Sequence, residues 1–139
     1  MINKYSCINI YENKKKNSKL SSQILYGEKF TILKRYKDWY KIKTSYDKYV
    51  GFIKKKKFEN FVFKPTHKVS SLKAKVFLKP YKTSKVKTKL SFTSLIQVKS
   101  SNNGFFNFDN YWIQKSNVVP LSYKEKIFQR IKIFRNVKY

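Results

Sequence analysis

The sequence predicts an all-β protein made of two small barrels in tandem, followed by a short C-terminal helix. Apolar and cationic residues alternate with a period of two along most of the chain, as they do in strands that bury one face. This strand pattern occurs twice, at an offset of roughly 60 to 66 residues, which indicates an internal repeat. The expected domains are residues 1–64, 65–121 and 122–139.

The first repeat contains four predicted strands joined by polar turns. The strands are expected at residues 8–11, 29–34, 39–43 and 49–53, where β-branched and aromatic residues fill the alternating positions. Turns are expected near Lys37-Asp38 and at residues 45–48. A run of four lysines at 54–57 is interpreted as a turn or a short 3₁₀ element.

The second repeat follows a break at residues 64–66, where Pro65 cannot continue a central strand. Its strand segments are predicted at residues 75–78, 88–90, 95–98, 104–108 and 110–113. Trp112 and the aromatic cluster of Phe105, Phe106, Phe108 and Tyr111 are assigned mainly to the core of this barrel or to the seam between the two domains. Trp39 of the first repeat is assigned to the core too, with a ligand-anchoring role as the alternative.

In the third segment, residues 122–139, the apolar residues are spaced as on one face of a helix. Ile127, Phe128, Ile131 and Phe134 fall on one face of a helix, and Ser122 precedes Glu125 by three residues, as in a capping box. A short helix with an apolar stripe needs a partner surface. The sequence therefore suggests either a truncated chain or a docking tail.

The chain is strongly basic. Thirty-three Lys and Arg residues against seven acidic ones give a formal net charge of +26, which attracts polyanions at low salt. Thirty of the thirty-three are lysines, whereas specific readers of phosphates and bases rely on arginine. The interpretation favoured here is compositional bias with solvated faces, and polyanion binding is the alternative.

The residue inventory argues against an enzyme. Cys7 and His67 are the only thiol and the only imidazole, and they lie sixty positions apart. They cannot form an ordinary zinc site, and no serine lies in a nucleophile elbow. Three glycines exclude phosphate-cradling loops, so no catalytic residue, metal or cofactor is expected. With no apolar run of about 18–20 residues and no signal-like N-terminus, a cytoplasmic protein without a membrane span is expected.

Three segments of the first repeat resemble a known family. They are similar to the N-terminal bacterial SH3 domain of NlpC-type cysteine peptidases, the γ-D-glutamyl-diamino-acid endopeptidases of dipeptidyl-peptidase VI type. The matching segments are Ser22-Gln23-Ile24-Leu25-Tyr26-Gly27-Glu28-Lys29-Phe30, Trp39-Tyr40-Lys41-Ile42 and Asp47-Lys48-Tyr49-Val50-Gly51-Phe52-Ile53.

The resemblance extends along most of the chain. The second repeat is similar to that family's second SH3 domain at residues 66–69 and 74–77 and at Pro80, Leu90 and Trp112-Ile113. Residues 127–139 resemble the helix that opens the catalytic domain. The resemblance implies two SH3-like barrels and a sequence that ends just before the catalytic Cys and His. Neither Cys7 nor His67 matches those catalytic positions.

The resemblance also implies a role for the first domain. In this family it forms one wall of the substrate cleft and recognises the free N-terminal end of a murein peptide. An ammonium group requires a carboxylate and hydroxyl partners. The candidate residues are Tyr26, Glu28, Asp47 and Tyr49. The alternative is that Tyr26-Gly27-Glu28 is turn chemistry and that Asp47 is the tip of a hairpin.

Three functions follow. The leading one is a non-catalytic module that binds or gates murein peptides for an NlpC-type peptidase domain, supplied in cis or in trans. The second is a basic SH3-like protein that binds nucleic acid non-specifically, because aromatic residues interleave with lysines. The third is an adaptor that binds a protein through its C-terminal helix.

Overall fold

The described residues are almost entirely β-structure. A computed structural model describes residues 1–15, 17–60 and 62–122, which contain thirteen strands and a short 3₁₀ helix at Lys115–Asn117. The all-β prediction is therefore confirmed. The predicted C-terminal helix lies outside the described residues except for Ser122. The chain divides into two compact units between Val62 and Phe63.

The first unit is one five-stranded antiparallel sheet in the order β2-β1-β5-β4-β3. Hairpins join β1 to β2, β3 to β4 and β4 to β5, whereas β1 meets β5 through the single pair Tyr11 and Phe52. Its strands are β1 (Cys7–Tyr11), β2 (Leu20–Leu25), β3 (Phe30–Arg35), β4 (Trp39–Thr44) and β5 (Val50–Lys54).

Alternation along β4 shows why these residues form a sheet with one buried face. Tyr40, Ile42 and Thr44 are buried, whereas Lys41 is half-buried and Lys43 is exposed between them. The buried side chains join a core cluster formed by Ile8, Ile10, Ile24, Phe30, Tyr40, Ile42 and Ile53.

Gly51 allows β5 to approach β1 closely. A Cβ at this position would overlap Ile10 Cγ2 and lie 3.2 Å from the Tyr11 carbonyl oxygen. The glycine of the Tyr49-Val50-Gly51-Phe52 segment is therefore required for strand packing.

The described residues of the second unit, 63–122, form two sheets. A five-stranded sheet has the order β10-β11-β12-β7-β8, and a three-stranded sheet has the order β13-β6-β9. The strands are β6 (His67–Val69), β7 (Lys73–Phe77), β8 (Val86–Ser91), β9 (Leu95–Ile96), β10 (Ser100–Asn102), β11 (Phe105–Phe108), β12 (Tyr111–Gln114) and β13 (Val118–Pro120). Phe105 and Phe108 are buried, whereas Phe106, Tyr111 and Trp112 are half-buried.

Several details differ from the sequence predictions. Strand β2 was not predicted, because Ser21, Ser22 and Gln23 interrupt its apolar alternation. Residues 55–60 form neither a turn nor a 3₁₀ element. His67, expected in the linker between the two domains, lies in β6. All three sheets are open in their strand order, so closed tandem barrels are not confirmed.

Candidate functional site

The four candidate residues lie in two turns at the same end of the first sheet. Tyr26 and Glu28 belong to the turn between β2 and β3, and Asp47 and Tyr49 to the turn between β4 and β5. The Ser45 N–H donates a 3.0 Å hydrogen bond to the Lys29 carbonyl oxygen, which holds the two turns side by side. The sequence therefore selected four residues that the fold places in neighbouring turns.

The turn between β2 and β3 is held by Glu28 itself. Gly27 has φ of 82°, a conformation that glycine adopts without steric penalty. The Leu25 N–H donates to Glu28 Oε1 at 2.6 Å, and the Glu28 N–H donates to the Leu25 carbonyl oxygen at 3.1 Å. Tyr26 is buried, with 6% of its surface exposed, and Glu28 is half-buried. These contacts give Glu28 a structural role in the turn.

The turn between β4 and β5 is organised by the buried hydroxyl of Thr44. This hydroxyl donates to an oxygen of the Asp47 carboxylate and accepts a 2.9 Å hydrogen bond from the Tyr49 N–H. Asp47 is exposed, and the half-buried ring of Tyr49 packs against the core. The turn therefore presents a fixed, solvent-accessible carboxylate two residues from a phenol ring. Such a carboxylate can accept a charge-assisted hydrogen bond from an ammonium group.

Trp39, Cys7 and His67 have mainly structural surroundings. Trp39 is half-buried and makes an edge-to-face contact with Tyr11, with ring centroids 5.7 Å apart. Cys7 is half-buried in β1. The His67 ring lies 4.8 Å from that of Phe106, and burial lowers its pKa from the usual 6.5. Its Nδ1 lies 2.8 Å from Thr66 Oγ1.

A second feature of the first unit, missed by the sequence predictions, is an open pocket of about 500 Å³. Four residues with apolar groups line it: Met1, Ile32, Tyr40 and Phe58. Five charged residues complete the lining: Arg35, Lys55, Lys56, Lys57 and Glu59. None of the four candidate residues takes part. The lysine run followed by an aromatic residue was the available indication, but it was interpreted as a turn or a short 3₁₀ element.

Within residues 1–15, 17–60 and 62–122, no three His, Cys, Asp or Glu side chains are grouped so that they could hold a metal ion. In the same part of the chain, no helix has the length and apolar character needed to cross a bilayer.

Comparison with known proteins supports the sequence resemblance. Residues 10–58 match the family described as the bacterial dipeptidyl-peptidase SH3 domain, an interval that contains all four candidate residues. The match is therefore to the SH3 domain of such peptidases and not to their catalytic domain.

The fold similarity covers more of the chain than this match. An NlpC/P60 family protein from Bacillus cereus ATCC 10987 aligns with 85% of it, with a TM-score of 0.69 and 14% sequence identity. The chain spans only 55% of that protein's length. No curated protein matches the sequence.

Proposed function

We propose that this chain, whose residues 10–58 match the bacterial dipeptidyl-peptidase SH3 domain, binds or gates murein peptides for a peptidase domain of NlpC type. The observation that carries the proposal is this match, because all four candidate residues lie inside it. The chain contributes recognition and no catalysis, since neither Cys7 nor His67 matches a catalytic position of the family. A peptidase domain, in cis or in trans, supplies the nucleophile.

The proposal extends to the organisation of the chain. Both units are SH3-like barrels, one following the other along the chain. The fold similarity supports this organisation, because it covers 85% of the chain and so extends beyond the matched 10–58 segment. A cytoplasmic location belongs to the same proposal and is tested by fractionating the producing cells.

The recognised group is the free N-terminal ammonium of the peptide. Against a net charge of +26, a cationic peptide end gains nothing from the overall field, so a local carboxylate must attract it. Asp47 is favoured over Glu28, because its carboxylate is exposed whereas the Glu28 carboxylate holds a turn. Tyr49 and Tyr26 border the ammonium site. A charge-assisted hydrogen bond of this kind contributes about 1.5–3 kcal/mol.

The test supplies a peptidase domain to form the other wall of the cleft. The matching NlpC-type catalytic domain is fused after Tyr139, and turnover is measured for murein peptides with free and acetylated N-termini. The fused protein is expected to prefer the free peptides. Asp47→Asn should reduce this preference about tenfold or more. Glu28→Gln, whose amide oxygen can still accept the Leu25 N–H, should have a smaller effect.

Asp38→Asn is the matched control, because it removes one exposed carboxylate outside the two turns. Equal cleavage of free and acetylated peptides by the fused protein would contradict the gating role. The role would also be wrong if the ratio stayed the same in both Asp47→Asn and Glu28→Gln.

A further inference from the structure

We propose that the pocket of the first unit binds an organic phosphate, a phosphate monoester attached to an apolar or ring-shaped group. This site is independent of the proposed peptide site, because none of Tyr26, Glu28, Asp47 and Tyr49 lines the pocket. Three observations carry the proposal: the charge of the rim, the contacts that fix its cations, and the apolar floor.

The rim of the pocket is cationic. Arg35, Lys55, Lys56 and Lys57 supply four positive side chains against the single carboxylate of Glu59. All five are exposed at the rim. Arg35 is the only arginine among the described residues, since Arg130 and Arg135 lie outside them. Its guanidinium can form two parallel hydrogen bonds to phosphate, while lysines act as point charges.

Contacts with aromatic rings orient the basic side chains. The Arg35 guanidinium lies 5.2 Å from the centroid of the buried Tyr40 ring, and Lys56 Nζ lies 4.8 Å from that of Tyr5. Cation–π contacts of this length are attractive and restrict the side chains that make them.

Backbone hydrogen bonds hold the lysine segment in place. The Lys55 N–H donates to the Asp38 carbonyl oxygen at 3.0 Å, and the Tyr5 hydroxyl donates to the Lys57 carbonyl oxygen at 3.0 Å. The segment is thus tied at both ends although it has no regular secondary structure. Because the segment is already ordered before binding, less conformational entropy is lost when a ligand binds.

The floor of the pocket is apolar. Met1, Ile32 and Phe58 are half-buried and pack against the core of the first unit. The volume of about 500 Å³ lies within the range of small-molecule sites. A bare inorganic anion would leave this apolar surface in contact with water, whereas the body of an organic phosphate would cover it.

The experiment measures binding of 1-naphthyl phosphate, inorganic phosphate and phthalate to the full chain by nuclear magnetic resonance titration. We expect 1-naphthyl phosphate to bind with a Kd in roughly the millimolar range and to shift resonances of the pocket residues. Inorganic phosphate should bind more weakly, because it has no apolar group to cover the floor of the pocket. Phthalate tests whether a dicarboxylate can replace the phosphate.

Variants distinguish binding in the pocket from attraction by the overall charge of the chain. Arg35→Gln should weaken 1-naphthyl phosphate binding about tenfold or more, and Arg35→Lys should restore only part of the loss because the forked geometry is missing. Lys43→Gln removes an equal charge from an exposed position of β4 that does not line the pocket, and it should leave binding unchanged. Thermal unfolding of each variant verifies that the fold is intact.

Three outcomes would overturn the proposal. Equal weakening by Arg35→Gln and Lys43→Gln would show that only net charge matters. Equal affinity for inorganic phosphate and 1-naphthyl phosphate would remove the role of the apolar floor. Phthalate binding as tight as that of 1-naphthyl phosphate would reassign the site to dicarboxylates. None of these results would bear on the peptide site, whose residues lie elsewhere.

Discussion

The hydroxyl of Thr44 is the residue-scale feature on which the turn between β4 and β5 depends. It is buried, and it connects the Tyr49 N–H to the Asp47 carboxylate. Thr44→Val keeps the shape of the side chain but leaves the N–H without this acceptor. We expect the free energy of unfolding to fall by about 1–3 kcal/mol, measured by urea denaturation.

Thr44→Ser is the matched control for this prediction. It keeps the hydroxyl while removing a methyl group, so it should retain most of the stability that Thr44→Val loses. Equal destabilisation by the two substitutions would show that the methyl group, and not the hydroxyl, is the important part of the side chain.

His67 provides a pH-dependent prediction for the second unit. Burial lowers its pKa below 6.5 in the folded chain, so the unfolded chain binds a proton at a higher pH than the folded chain does. The free energy of unfolding should therefore fall as the pH is lowered from about 7.5 to 5.5. Titration of the imidazole resonances should give a midpoint below 6.5.

His67→Gln should remove this part of the pH dependence, since glutamine does not titrate. A midpoint at or above 6.5 for His67 in the folded protein would contradict the burial argument.

At the scale of elements, the hairpin of β7 and β8 places two positive charges opposite each other. Lys75 pairs directly with Lys89, and both side chains are exposed. Like charges at opposite positions destabilise a strand pair. Lys89→Glu should raise the free energy of unfolding by about 0.2–1 kcal/mol at low salt, and by less at high salt.

Lys99→Glu makes the same change of charge at an exposed position outside β7 and β8. Thermal or urea unfolding of the two variants distinguishes the repulsion between Lys75 and Lys89 from the effect of net charge on stability. A gain of the same size in both variants would assign the effect to net charge alone.

The strands that could be predicted from sequence are those with clear alternation. Strand β4 was predicted to within one residue, because bulky and cationic residues alternate along it. Strand β2 could not be predicted this way, since its central residues are polar and half-buried. The short strands β6, β10 and β13 contain three residues each, which is too few for a period to be recognised.

For the candidate sites too, only features that depend on contiguous residues could be predicted from the sequence. The four candidate residues were selected because they lie in two segments that resemble the family's first SH3 domain, and the structure places those segments in neighbouring turns. The phosphate pocket could not be predicted, because it combines the end of β3, the start of β4 and the segment after β5. Only the fold brings Arg35 close to Lys55–Lys57.

At the scale of the whole molecule, the charge of +26 predicts non-specific attraction to polyanions. Lysines attract phosphates without reading bases, so unrelated oligonucleotides should bind with similar affinity. The affinity should fall steeply between about 50 and 200 mM salt, as counterion release requires. Fluorescence anisotropy with several oligonucleotides at both salt concentrations measures this. A strong preference for one sequence at the higher salt would favour a nucleic-acid function.

The pairing of β1 with β5 has a consequence for the order of folding. The hairpins of the first sheet are local and can form within microseconds, whereas Tyr11 and Phe52 are far apart along the chain. Bringing them together requires closure of a long loop, whose entropic cost grows slowly with its length. The sheet is then completed when the β1–β2 ribbon docks on the β3–β5 meander. If this docking is rate-limiting, substitutions at Gly51 that hinder the contact between β5 and β1 lower the folding rate constant.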